Sequence, residues 1–328
     1  MKSVGGLFDQ VCARENLLSA MDRAARGKMD RPGVTRFVAN AGSELSALEY
    51  DLRSGGYEPS GYDQFRVMDP KPRRISCAPF RDRVVQHAAC SVIGPVIERR
   101  FIYDSFACRE GKGTHRAVLR ALEFARRFGY FCKLDVKRFF DSVDHGILLG
   151  LLGRLFREQK LLDLLTRIVC HPFPGQNPGK GLPIGNLTSQ WFANFYLDGA
   201  DHFVKEDKGV PGFIRYMDDM LLFADNKAVL WGYCDALTEW LSRERALSIK
   251  TEAMLFAPCS EGFPYLGVRV FPGLLRFQQR RYHRLVRQVR YREHQFTEEV
   301  ISEAKMVDYV RAVCADAVFF GLRPGIGT

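Results

Sequence analysis

Phe213-Ile-Arg-Tyr-Met-Asp-Asp-Met-Leu-Leu-Phe223 is the stretch on which the reading of this chain turns. Two short apolar runs, Phe213–Tyr216 and Met220–Phe223, flank an acidic turn, which predicts a β-hairpin. Adjacent carboxylates at its tip, Asp218 and Asp219, repel each other and cost stability unless a cation sits between them. An Asp-Asp pair alone is most often only a turn. Here apolar strand lies on both sides, where two free charges are hard to explain as decoration.

A partner carboxylate then belongs on a neighbouring strand, and Tyr130-Phe-Cys-Lys-Leu-Asp-Val136 supplies one. The run is rich in aromatic and β-branched residues and reads as a buried strand carrying Asp135. A strand-borne Asp can be a structural acceptor; its coincidence with the acidic turn shifts the reading to a metal site. Magnesium takes carboxylate and phosphate oxygens with few protein ligands. Two such ions about 3.5–4 Å apart activate an attacking hydroxyl and stabilise a leaving pyrophosphate, the arrangement of nucleotidyl transfer.

Composition agrees. The 328 residues are enough for two or three packed subdomains, and 46 % hydrophobic residues exclude a disordered chain. Lys and Arg number 48 against 38 acidic residues, a net charge of +10 that favours a polyanionic partner. Nine scattered cysteines lack zinc-ligand spacing and predict free thiols in a reducing compartment. Met1–Gln10 has no apolar run of signal-peptide length, and no stretch approaches a membrane span. The expected location is the cytoplasm, with no membrane partner.

Outward from the centre, helices are expected over 43–54, capped by Ser43, and over 81–101, 115–128 and 227–245. Strand-like Phe65–Met68 sits in the Gly/Pro-rich stretch 55–79. Thr188 or Ser189 is expected to cap a helix carrying Trp191, Phe192, Phe195 and Tyr196. Tyr265–Val270 and Leu274–Phe277 suggest a second hairpin around Pro272-Gly273. The last segment reads as a basic helix, with Tyr282, Leu285, Val286 and Val289 in one stripe and Arg280, Arg284, Arg287 and Arg290 beside it. Such a face is either solvated or bound to phosphate.

With these elements in place, the chain resembles reverse transcriptases, in motifs running in order over about residues 60–280. Lys71-Pro-Arg73-Arg74-Ile75 resembles the fingers motif and Phe80–Gln86 a helix start of bacterial members. Leu134-Asp135-Val-Lys-Arg-Phe-Phe140-Asp-Ser-Val-Asp144-His145 resembles the first palm motif. Gly181-Leu-Pro-Ile-Gly185-Asn-Leu-Thr-Ser-Gln190 resembles the second, Tyr216-Met-Asp-Asp219 the third, Leu247-Ser-Ile-Lys250-Thr the fourth, and Tyr265-Leu266-Gly267 the primer grip.

The resemblance implies an α+β right-hand polymerase: fingers over 1–129 with an N-terminal helical part, a palm with an antiparallel sheet over 130–272 holding an inserted fingers segment at about 146–180, and a helical thumb over 273–328. It implies Asp135, Asp218 and Asp219 as catalytic residues, with Val136 beside them in the metal site, and two Mg2+ ions as cofactors, Mn2+ substituting. Lys71 and Arg73 would hold the triphosphate of a dNTP, with Arg74 next in line for that task. Phe140 would exclude the ribose 2′-hydroxyl. Ile184, Gly185 and Gln190 would lie near the nascent pair, and Lys250 is a candidate proton donor to pyrophosphate or a solvated lysine. Asp144 reads as an N-cap. The basic last helix would contact template RNA and RNA/cDNA duplex.

The second palm motif carries Ile184 and Gln190 where most relatives have Gln and Pro. Together with Arg109–His115, this resembles reverse transcriptases of diversity-generating retroelements. That group implies a bacterial or phage origin, a structured template RNA, a small, basic, oligomeric helical accessory protein, and copying that is error-prone at template adenines for mutagenic retrohoming. A defence-associated enzyme copying its own non-coding RNA is the alternative, and a non-catalytic RNA-binding protein the rival from another class. The 61 residues after the primer grip are expected to leave no room for a ribonuclease H, integrase or endonuclease.

Overall fold

The computed structural model describes residues 6–68 and 72–319, without the side chains of 280 and 316–318. It divides into two compact units: Met1–Tyr103, Val136–Phe203 and Ala236–Lys250 form the first, and Asp104–Asp135, Val204–Asp235 and Thr251–Thr328 the second.

The first unit is largely helical. Its core is the helix Phe80–Glu98, which buries Val84, Val85, Ala88, Ala89, Ile93 and Ile97. It packs against Arg14–Ala25 and Leu187–His202. Gly94 makes the second contact possible: a Cβ there would sit 3.1 Å from the Trp191 ring. Asp82 in its first turn is buried, yet it is satisfied by the Tyr57 hydroxyl and the Ser60 N–H, both at 2.9 Å. Those two bonds fix the chain entering the strands β1 (Asp63–Met68) and β2 (Pro72–Cys77), a two-stranded antiparallel hairpin with Phe65 opposite Ile75. Lys71, expected at the triphosphate, lies outside the described residues.

The second unit holds the sheet expected of the palm. Strand β3 (Tyr130–Asp135) is central, between β5 (Asp219–Ala224) and β6 (Leu255–Pro258), and β4 (Gly212–Tyr216) lies outside β5. All pairings are antiparallel. A meander of β7 (Phe263–Tyr265), β8 (Val268–Phe271) and β9 (Leu274–Phe277) forms a second, three-stranded sheet. The helix Thr114–Arg127 lays Ala117, Val118, Ala121, Phe124 and Ala125 on a core with Ile214, Leu221, Phe223, Phe131, Phe263 and Val268. Small residues on one helix face let it approach closely, and aromatic rings fill the space, with Phe131 and Phe263 centroids 4.5 Å apart. The helices Gln279–Thr297 and Glu303–Phe319 pack on each other, with Arg292 over the Tyr309 ring at 5.5 Å.

Three sequence expectations need correction. The first helix starts at Ala41, so Ser43 lies inside it and its hydroxyl donates to the Asn40 carbonyl instead of capping. The helix expected to be capped by Thr188 or Ser189 starts at Leu187, with Asn186 at the cap position and no side-chain cap bond; both hydroxyl residues are buried in its first turn. The expected strand Tyr265–Val270 is broken by positive φ at Leu266 (45°) and Gly267 (89°), which turn the chain and make a hairpin of it.

Candidate active site

The acidic turn is tight: Tyr216 and Asp219 are paired across it, leaving Met217 and Asp218 as its two loop residues. Met217 has φ +58°, a left-handed conformation that costs a non-glycine residue about 1–2 kcal/mol. Two neighbours hold it there. Arg215, fully buried, turns its guanidinium back to donate to the Met217 carbonyl at 3.2 Å. The Thr114 and Tyr216 hydroxyls lie 3.1 Å apart. Residues 104–106 run beside β4: Arg215 N donates to Asp104 O and Phe106 N to Arg215 O, each at 2.9 Å. The motif Arg109–His115 thus belongs to the loop that braces the turn.

Register then assembles the carboxylates. Asp135 at the end of β3 lies directly opposite Asp219 at the start of β5. The Asp135 carboxyl lies close enough to the Asp218 carboxyl to act on its charge. Burial, and then the charge of Asp135, push the Asp218 carboxyl up to about 7. Burial pushes Asp219 up to about 6, against the opposing pull of Lys133. Asp219 Oδ2 is 2.9 Å from Lys133 Nζ, while its buried Oδ1 has no partner. Among the described residues no group of three or more Asp, Glu, His or Cys side chains is placed so that it could hold a metal ion by itself. The donor chemistry still fits a hard divalent cation: Asp135 stands opposite Asp219, the neighbouring Asp218 is raised for want of positive charge, and one oxygen of Asp219 is unpartnered.

The other expected residues fall into two sets. Arg73 and Arg74 are exposed on β2, Arg74 leaning on the backbone at Gly175. The Ile184 carbonyl accepts from Ser76 N at 2.9 Å, docking the second palm motif on β2. Gly185 has φ +118°, and a Cβ there would come 2.8 Å from Ile75 and 3.1 Å from the Ser76 carbonyl, so both conformation and space call for glycine. Phe140 is half-buried against Phe139, and its carbonyl accepts from Leu182 N at 2.7 Å. Gln190 is exposed and Lys250 half-buried; Val136 is buried and bridges to Ile249. Asp144 caps the helix His145–Leu155, accepting from Ile147 N at 3.1 Å.

In the second unit Tyr265 is buried in the core, so its ring does not face a primer. The backbone beside it is committed too: Arg281 donates to the Leu266 carbonyl at 2.9 Å and Gln278 N to the Gly267 carbonyl at 3.3 Å. Arg287 and Arg290 are exposed and Arg284 is half-buried; the side chain of Arg280 lies outside the described residues. Sequence reasoning assigned nothing to Lys133, Thr114 or Arg215. Only Lys133 left a signal: two residues before Asp135, it lies on the same face of the strand.

The profile of the reverse transcriptase (RNA-dependent DNA polymerase) family matches residues 68–270. The chain belongs to that family. Among curated relatives of this reverse transcriptase, the group II intron-encoded protein LtrA of Lactococcus lactis is 26 % identical over 208 residues, covering 60 % of this chain and 33 % of LtrA. YkfC of Escherichia coli is 27 % identical over 193 residues, 53 % of this chain and 50 % of YkfC. Nuclear intron maturase 2, mitochondrial, of Arabidopsis thaliana is 35 % identical over 176 residues, 50 % of this chain and 23 % of the maturase. The chain therefore spans half or less of these relatives. Telomerase structures from Candida albicans and Candida tropicalis share the fold, at TM-scores of 0.51 and 0.53 and 10 % and 11 % identity. They cover 67 % of this chain and just under half of the telomerase chains. No described helix is long and apolar enough to cross a membrane.

Proposed function

We propose that this chain is an RNA-directed DNA polymerase whose catalytic carboxylates are Asp135, Asp218 and Asp219. The observation that carries this reading is the register of β3 against β5, which sets Asp135 opposite Asp219 and beside Asp218. Bound by these three, with the Val136 backbone adjacent, two Mg2+ ions would supply an acidified primer hydroxyl and charge neutralisation for the leaving pyrophosphate. The chain's own residues do the rest. Arg73 and Arg74, with Lys71, hold the triphosphate on the fingers hairpin. Phe140 closes the space beneath C2′ of the sugar, while Ile184, Gly185 and Gln190 border the incoming base. Lys250 stands as proton donor to pyrophosphate. Residues 1–129 act as fingers, 130–272 as palm with a fingers segment at about 146–180, and 273–328 as a thumb whose Arg284, Arg287 and Arg290 track the duplex backbone. Primer extension on an RNA template with Mg2+ tests this: cDNA from the wild type and none from Asp218→Asn is the expected result.

The finer reading is error-prone copying of a structured RNA for mutagenic retrohoming, with a small helical accessory protein. Ile184 supports it: an apolar side chain cannot make the directional hydrogen bond that an amide there makes to a correctly placed pair. Deep sequencing of cDNA from one RNA template checks it. Errors concentrated at template adenines are expected, and an even error spectrum would return the chain to a general reverse transcriptase.

A further inference from the structure

The cation in the carboxylate cluster belongs to the protein itself. Lys133 is on β3, with Leu221 and Leu255 opposite it on the two flanking strands. Its side chain is only 18 % exposed. The ammonium donates to Asp219 Oδ2 at 2.9 Å and to the Pro264 carbonyl at 3.3 Å, and it lies 5.9 Å from the centre of the Tyr265 ring. An ammonium has three donors. Here a carboxylate from β5 and a carbonyl and an aromatic face from β7 surround them. A lysine on a solvated face has none of these. The contact also orients Asp219: one oxygen is tied to Lys133, and the other, Oδ1, is buried without a partner.

We propose that Lys133 is a positioning residue that acts as resident counter-ion of Asp219, holding that carboxylate in place while the site is metal-free and competing with the divalent ion for it. The proposal rests on the reading of Asp135, Asp218 and Asp219 as metal ligands. Its physical basis is that two cations on one carboxylate repel across a site with little water, so each weakens the other. Asp219 keeps its orientation without metal, and the ion binds less tightly to the empty enzyme than to one whose nucleotide brings phosphate oxygens as further ligands.

The test is Mn2+ binding to the nucleotide-free protein, followed by electron paramagnetic resonance of the free ion. Wild type is compared with Lys133→Met, Lys133→Gln, Lys133→Arg and Asp218→Asn, with circular dichroism reporting the fold of each. The two neutral variants should bind Mn2+ at least about 10-fold more tightly than wild type, since they remove a competing charge. Lys133→Gln keeps a hydrogen-bonding side chain should Lys133→Met not fold. Lys133→Arg keeps the charge and should stay near wild type. Equal affinity in wild type and both neutral variants, or equal tightening by the Arg variant, overturns the counter-ion role while leaving the metal site standing. Mn2+ binding that Asp218→Asn does not weaken, or no binding in any variant, overturns the metal reading and this proposal with it.

Discussion

Two hairpins of opposite charge, one in each unit, are built in opposite ways. The acidic hairpin β4–β5 is buried along nearly its whole length, with β3 on one side and residues 104–106 on the other. The basic hairpin β1–β2 has every residue of β1 exposed, and Arg73 and Arg74 stand in solvent. It is tied at its base: Gln64 donates to the Ser76 hydroxyl and the Pro174 carbonyl, both at 3.1 Å, and Ser76 N to Ile184 O. The carboxylates need placement within a fraction of an ångström, because metal geometry is unforgiving. In the role proposed for them, the arginines need only reach phosphates, which a long side chain does from an exposed strand. Rigidity is spent where charge repulsion must be held, and exposure is accepted where charge is to be offered.

Substitutions in each hairpin test that contrast. The largest effect is expected at the rigid one. Asp218→Asn removes one ligand charge at constant size and should lower the rate of DNA synthesis on the order of 10³-fold or more, with RNA binding nearly intact. Primer extension beside filter binding measures both, and residual activity above about a tenth of wild type would contradict the metal assignment. Next is Arg73→Ala on the open hairpin. Loss of one phosphate contact should raise KM for dNTP about 10-fold and leave kcat within a few-fold, because the charge lost is a binding charge. A loss confined to kcat in single-turnover kinetics would show that the two hairpins do not divide the work this way.

Gly185→Ala attacks the tie at the base of the basic hairpin. The added methyl meets Ile75 and the Ser76 carbonyl at a φ of +118°, which should cost about 1–3 kcal/mol and lower Tm by several degrees. Thermal unfolding checks it, and an unchanged Tm would mean the loop can move off β2 freely.

The last test concerns stability of the metal-free protein. The Asp218 carboxyl, held near 7 folded, lies in the ordinary carboxylate range unfolded. The folded state therefore keeps a proton that the unfolded state releases between about pH 4 and pH 7, and stability from this group is lost as pH rises through that window. Asp218→Asn has no such loss. In chelator, its Tm relative to wild type should climb from pH 4 to pH 7 and level off above. A flat difference across that range would show that the Asp218 carboxyl is not raised in the folded turn.

The same contrast governs how much could be read from the sequence. The acidic hairpin, the strand of Asp135 and the cap at Asp144 were legible because apolar runs, a tight turn and a capping carboxylate are local signals. The helix expected over 227–245 spans Lys227–Arg245. The break at Leu266-Gly267 was not legible, since a non-glycine residue at positive φ has no local signature. Tyr265 resembled a primer contact because its motif does, and only the packing of β7 against β8 and the helix Thr114–Arg127 shows that it belongs to the core. Lys133 carried its clue in plain view, but its partners Asp219 and Pro264 lie 86 and 131 residues away in the chain. Contacts at that range are set by topology, and nothing near Lys133 in the sequence announces them.

The pairing of Asp135 with Asp219 has a consequence for how the gene can vary. Side chains alternate faces along a strand, so one added or missing residue in 130–135 or 219–224 would send every following side chain to the opposite face. Point changes at these twelve positions are graded in effect, whereas single-codon insertions and deletions are all-or-none. A library of such frame-preserving length changes should be empty of active clones across both strands. Tolerance should return in the loop 171–181, where a spare residue alters only the span of a connection.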